Sequence, residues 1–135
     1  MIEVTQNKLH DPSKRVKGGC FQACLASILE LPLDDVPHFV EFDDWLYRLQ
    51  LWLADRGLVF LYDIPPAYAN YWGYHLIGGP SPRGNFRHCV VGKAGEMIWD
   101  PHPDRTGLSG TEDDWDYYAL ALLDPSAFTH SGPKL

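Results

Sequence analysis

Cys20, His88 and Asp100 have the side-chain types and the chain order of a thiol-based hydrolytic site. Cys20 follows Gly18-Gly19 and opens the apolar run Phe21-Gln22-Ala23-Cys24-Leu25-Ala26-Ser27-Ile28-Leu29, which reads as a helix. A thiol on the first turn of a helix meets unpaired N–H groups and the positive end of the macrodipole. Both favour the thiolate, the form that attacks carbonyl carbon. His88 lies in Arg87-His88-Cys89-Val90-Val91, and Asp100 in Ile98-Trp99-Asp100-Pro101. In such a site the imidazole takes and returns a proton, while a carboxylate or amide orients it.

These residues need elements to hold them. Phe21, Leu25, Ile28 and Leu29 recur at helical spacing, so a helix is predicted over residues 20–31, with Ala23, Ala26 and Ser27 as a small face for close packing on a sheet. Pro32 and Pro37 then break the chain. A second helix is predicted over 43–55 from the stripe Trp45, Leu46, Leu49, Trp52 and Leu53, with Gly57 as its stop. Strands are expected at 2–5, 58–64, 74–77, 86–92 and 97–100, with Gly78-Gly79-Pro80 ending the third. Residues 68–72 suit a short helix or an aromatic loop, and 117–123 a strand or a short helix. Helices first and a mostly antiparallel sheet after them give an α+β order.

The hairpin carrying His88 and Asp100 sets a geometric condition. If Lys93 pairs with Glu96 across a two-residue loop, Asp100 falls opposite Cys89 and points away from His88. A three-residue turn or a bulge shifts the register by one. Asp100 then lies opposite Val90, on the face of His88. Without that shift, His102 or an upstream carboxylate is left to orient the imidazole. Cys89, on the strand face opposite to His88, is expected to pack in the core together with Cys24. Cys20, Cys24 and His88 form a second conceivable grouping, around a metal, but three such ligands with no close Cys/His pair do not make a zinc-finger pattern. No cofactor and no metal are expected.

Bulk properties narrow the class. The 135 residues are 45% hydrophobic, enough to form one domain over 1–135 with a real core. With a formal charge of −7 and no basic run longer than Lys14-Arg15-Val16-Lys17, nucleic acid is not expected as a partner. No apolar stretch is long enough for a membrane span, and the start lacks the basic-then-apolar order of a signal peptide. Three cysteines, an odd set without a disulfide-framework spacing, fit a reducing cytoplasm. His10, His38, His75, His102 and His130 carry less information, although His75 could line a cleft. Glu112-Asp113-Asp114 with Asp116 reads as a solvated face. Tyr68, Tyr71, Trp72 and Tyr74 suit an aromatic satellite under a loop, or a substrate wall.

The motifs Gly19-Cys20, Cys20-Phe21-Gln22-Ala23-Cys24-Leu25-Ala26-Ser27, Arg87-His88-Cys89-Val90-Val91-Gly92 and Trp99-Asp100-Pro101-His102-Pro103 resemble papain-like cysteine peptidases. The likeness extends to the bacteriocin-processing peptidases and to small phage and bacterial proteins of that fold. It implies a cysteine-bearing N-terminal helix packed on a mostly antiparallel sheet. It also implies a Cys20-His88-Asp100 triad cleaving a peptide, isopeptide or amide bond of a peptide or protein substrate. Members of the family use a glutamine shortly before the cysteine in the oxyanion hole. That role falls to Gln6, fourteen residues upstream, or to Asn7, beside the backbone N–H of Cys20. A papain-like binding module without activity, and an acyltransferase or transglutaminase-like enzyme, are the other readings of the same motifs.

Overall fold

Small side chains on one face decide where the first helix lies. In the computed structural model, which describes residues 1–124, α1 spans Cys20–Leu29 and packs against the strand that bears His88. Ala23, Cys24, Leu25 and Ala26 lose all solvent contact there. The helix stops two residues earlier than its apolar pattern suggests. Glu30 takes a left-handed backbone (φ 57°) and returns its N–H to Ala26 O, a C-cap ahead of Pro32. α2, Trp45–Ala54, buries Leu49 and Leu53 and ends before Gly57, whose φ of 74° suits glycine. Residues 68–72 resolve as the end of a short helix, α3 (Pro66–Ala69), and the turn after it.

The described residues form five strands, β1 (Leu58–Ile64), β2 (Tyr74–Pro80), β3 (Arg87–Lys93), β4 (Glu96–Trp99) and β5 (Asp116–Leu122). Their order is β1-β5-β2-β3-β4, and each neighbouring pair is antiparallel, so the molecule is α+β. The last strand in sequence thus sits inside the sheet, between β1 and β2. One core gathers Leu25, Leu49, Leu53, Phe60, Leu76 and Val91 between the helices and the sheet, and a smaller one gathers Ile77, Val90 and Tyr117. Among the described residues no helix is long and apolar enough to cross a membrane. His130 lies outside the described residues.

Two expectations about strands fail for identifiable reasons. Residues 2–5 form no strand, because their donors go elsewhere: Ile2 N to Ser27 O (3.0 Å) and Val4 N to Ser27 Oγ (3.2 Å), both on α1. Gly78-Gly79-Pro80 do not end β2 but belong to it, pairing with Cys89, His88 and Arg87. The glycines serve close packing rather than a turn. A Cβ on Gly79 would stand 2.5 Å from Cδ1 of Trp115, and one on Gly78 3.1 Å from the Tyr118 ring. Gly79→Ala is therefore expected to destabilise the fold by about 1–3 kcal/mol through overpacking. Urea unfolding with an unchanged midpoint would contradict this packing.

Candidate active site

The β3–β4 hairpin meets the register condition through a bulge. Lys93 pairs with Glu96 across Ala94-Gly95, whose positive φ values (53° and 83°) make the tight turn. Gly92 then pairs with Met97, but Val91 pairs with Trp99. Ile98 is the extra residue, and it moves everything beyond it by one position. Asp100 thereby reaches the face of His88, and His88 Nε2 lies 2.7 Å from Asp100 Oδ1 with both side chains buried.

The carboxylate is held by more than the histidine. Asp100 Oδ1 also accepts from His102 N (2.9 Å), and Oδ2 from Gly107 N (2.6 Å). Arg105, stacked over the Trp99 ring, donates to the Asp100 carbonyl (3.0 Å) and to Thr5 Oγ1 (2.7 Å), closing the loop around it. Burial pushes the Asp100 carboxyl up, but its bonds to His88, His102 and Gly107 outweigh that and hold it below the usual carboxylate range. His102 is not the orienting group. Its ring Nδ1 accepts from Asp104 N (3.1 Å), while its ring lies edge-on to that of His88 at 6.1 Å.

Gln6 reaches the site despite its distance in sequence. Gly19 N donates to Lys8 O (2.8 Å), and a bridge joins Asp11 to Val16, so the intervening residues form a closed excursion. Gln6 N donates to Pro101 O (2.9 Å), directly after Asp100. The side chain is buried, with Nε2 donating to Lys8 O (2.9 Å) and Oε1 without a partner. It borders a cavity of about 250 Å³ together with Cys20, His88 and His102. Asn7 is exposed, accepts from Lys8 Nζ (3.4 Å) and borders neither this cavity nor the larger one beside it.

Cys24 and Cys89 pack together in the core as expected, while the ionisation expected of Cys20 is reversed. Strand alternation assigns Cys89 to the core, and it does pack there, yet it also reaches the wall of one cavity beside Cys20 and His88, close enough for both to act on the Cys20 thiol. Cys89 Sγ in turn donates to Cys24 Sγ (3.7 Å), and Cys24 Sγ to the Cys89 carbonyl (3.6 Å). Three thiols thus form a chain that starts at the nucleophile position and ends on backbone. Its effect on ionisation is opposite to that expected of a helix N-terminus. The hydrogen bond to Cys89, then burial, push the Cys20 thiol well up, and the opposing pull of His88 does not cancel them. Burial lowers the affinity of His88 for its proton, but the contacts with Asp100 and Cys20 prevail and raise its pKa to about 9.

At neutral pH the pair therefore carries protons on both the imidazole and the thiol. The first proton leaves the pair as a unit. Alkylation of Cys20 by iodoacetamide is expected to keep rising with pH beyond the range of an ordinary thiol. A rate already at its plateau in mildly acid solution would contradict this proton inventory.

A cavity of about 640 Å³ opens beside the thiol, with Cys20, His88 and Cys89 in one wall and Phe21, Trp45, Phe60 and Tyr118 among the rest. Its size is that of a small-molecule or side-chain binding site. Phe60 and Tyr118, stacked at 5.6 Å on β1 and β5, escaped the sequence reading as functional residues. Only the pairing of the first strand with the last puts them there. Tyr68 and Tyr71 are exposed and border neither cavity. His75 is a buried core residue, its Nδ1 2.8 Å from Gly73 O. Among the described residues no group of three or more His, Cys, Asp or Glu side chains is arranged to hold a metal ion. Comparison with protein-family models, with curated proteins and with solved structures finds no match to this chain.

Proposed function

We propose that the chain is a papain-like cysteine hydrolase, acting in the cytoplasm on a peptide, isopeptide or amide bond. The observation that carries this reading is the 2.7 Å bond from His88 to a buried, triply bonded Asp100, with His88 and Cys20 together in the walls of both cavities. Since Nε2 of His88 is engaged by Asp100, Nδ1 is the nitrogen left for the sulfur. Once the pair has lost its first proton, the Cys20 proton passes to His88 as sulfur bonds to the substrate carbonyl carbon. The C–N bond breaks and His88 returns the proton to the leaving amine. Water then attacks the thioester, giving its proton to His88, and the acid and the free thiol are released. The oxyanion accepts from the Cys20 backbone N–H, which has no acceptor within the helix, and from the second amide hydrogen of Gln6. The larger cavity suits a bulky apolar group flanking the scissile carbonyl. Three free cysteines fit a reducing compartment.

The rival reading is a binding module of the same fold. One observation favours it: the neighbouring Cys89 thiol and burial hold the Cys20 thiol well above its ordinary pKa. Incubation with p-nitrophenyl acetate, followed by peptide mass mapping, separates the two. The hydrolase gives a burst of p-nitrophenolate, an acetyl group on Cys20, and its later loss. An acetyl group that never forms, or that persists indefinitely, overturns the hydrolase.

A further inference from the structure

The mechanism uses one thiol of three, and the other two lie in contact with it or with each other. Cys20 is half-buried and borders both cavities, so small solutes reach it. Cys24 is fully buried, while Cys89 is 8% exposed and shares the wall of the larger cavity with Cys20. We propose that Cys89 is a resolving thiol: hydrogen peroxide oxidises Cys20, and Cys89 converts the product into a Cys20–Cys89 disulfide that covers the nucleophile reversibly.

The partner is chosen by geometry. Cys20 and Cys24 are four residues apart on one helix, where Cβ atoms stand about 5–6 Å apart. A disulfide wants about 3.5–4.5 Å, so that pair would have to distort α1. Cys89 approaches from β3, a separate element free to meet the first turn of α1, and lies with Cys20 in the wall of the larger cavity. The chemistry balances without a further reactant. Cys20 sulfur takes one oxygen from hydrogen peroxide, the O–O bond breaks, and a sulfenic acid and water result. Cys89 sulfur then attacks that sulfur; the S–S bond forms, the S–O bond breaks, and the oxygen leaves as water with the Cys89 proton. Two thiols and one peroxide give one disulfide and two waters. Without Cys89 the sulfenic acid would proceed to sulfinic acid, which thiol reductants do not reverse.

The pair forms or fails to form regardless of whether Cys20 turns over any substrate. The test is to treat the full chain with hydrogen peroxide at mildly alkaline pH and to map its peptides under non-reducing conditions. A Cys20–Cys89 link is expected, lost on addition of dithiothreitol with full recovery of iodoacetamide labelling at Cys20. Cys24→Ala should keep the link, while Cys89→Ala should lose it and accumulate sulfinic acid at Cys20. A Cys20–Cys24 or Cys24–Cys89 link in the wild type would overturn the proposal. So would sulfinic acid forming at Cys20 equally fast in the wild type and in Cys89→Ala. Should Cys89→Ala fail to fold, the wild-type map alone decides.

Discussion

Cys20→Ser is expected to lower turnover of p-nitrophenyl acetate, and of any peptide substrate later found, on the order of 10³-fold or more. The fold should survive almost unchanged. Serine differs by one atom and occupies a half-buried position at the start of α1. What it removes is ionisability: a hydroxyl beside His88 remains protonated across the range in which a thiol can be deprotonated. Loss of activity with an unfolding midpoint within about 1 kcal/mol of the wild type is the result that identifies Cys20 as nucleophile. Full activity in the serine variant would sink the hydrolase reading, whatever the geometry of His88 and Asp100.

The same position shows how far sequence reaches into this site. The helix after Gly19, its small face, and the two strands bearing His88 and Asp100 were all legible, because each depends on residues a few positions apart. Four features were not. The bulge at Ile98 leaves no mark in Met97-Ile98-Trp99, a run that alternates equally well in either register. Gly78-Gly79-Pro80 has the composition of a turn, and only Trp115, far along the chain, reveals that the glycines admit an indole. Gln6 is distant by count, yet two backbone bonds, to Lys8 and to Pro101, place it beside the cysteine. Cys89 packs in the core beside Cys24 as alternation requires, yet it also reaches the cavity wall beside Cys20, which no local pattern shows. Each is a long-range contact overriding a local pattern. Three of the four, at Ile98, Gln6 and Cys89, bear directly on the triad, on its oxyanion donor and on the ionisation of its thiol.

Asp100→Asn is expected to move activity, its pH profile and stability together, which no purely structural residue would do. The amide keeps the shape but replaces one carboxylate oxygen by NH₂, leaving either the backbone N–H of Gly107, or the His88 ring and the backbone N–H of His102 together, short of an acceptor. An orphaned buried donor costs about 1–3 kcal/mol. Loss of the charge also removes the largest influence that raises the pKa of His88, so that pKa should fall from about 9. Turnover should fall by roughly 10²–10⁴-fold, as the imidazole loses both its orientation and its counter-charge. The stability profile follows with a definite sign. His88 binds its proton more tightly when folded, so its contribution is complete below the unfolded value of about 6.5 and fades as pH rises through about 9. Asp100 binds its proton less tightly when folded, so its contribution is complete above about 3.9 and fades as the solution becomes more acid. In the wild type the net upward shift of His88, burial included, is worth roughly 3 kcal/mol of that alkaline slope. Asp100→Asn should therefore be less stable near neutrality, and flatter on both sides. Unfolding midpoints measured across the range would decide it. Curves for the two proteins that run parallel, however far apart, would mean that the His88–Asp100 bond is not the ionic contact on which the catalytic reading depends.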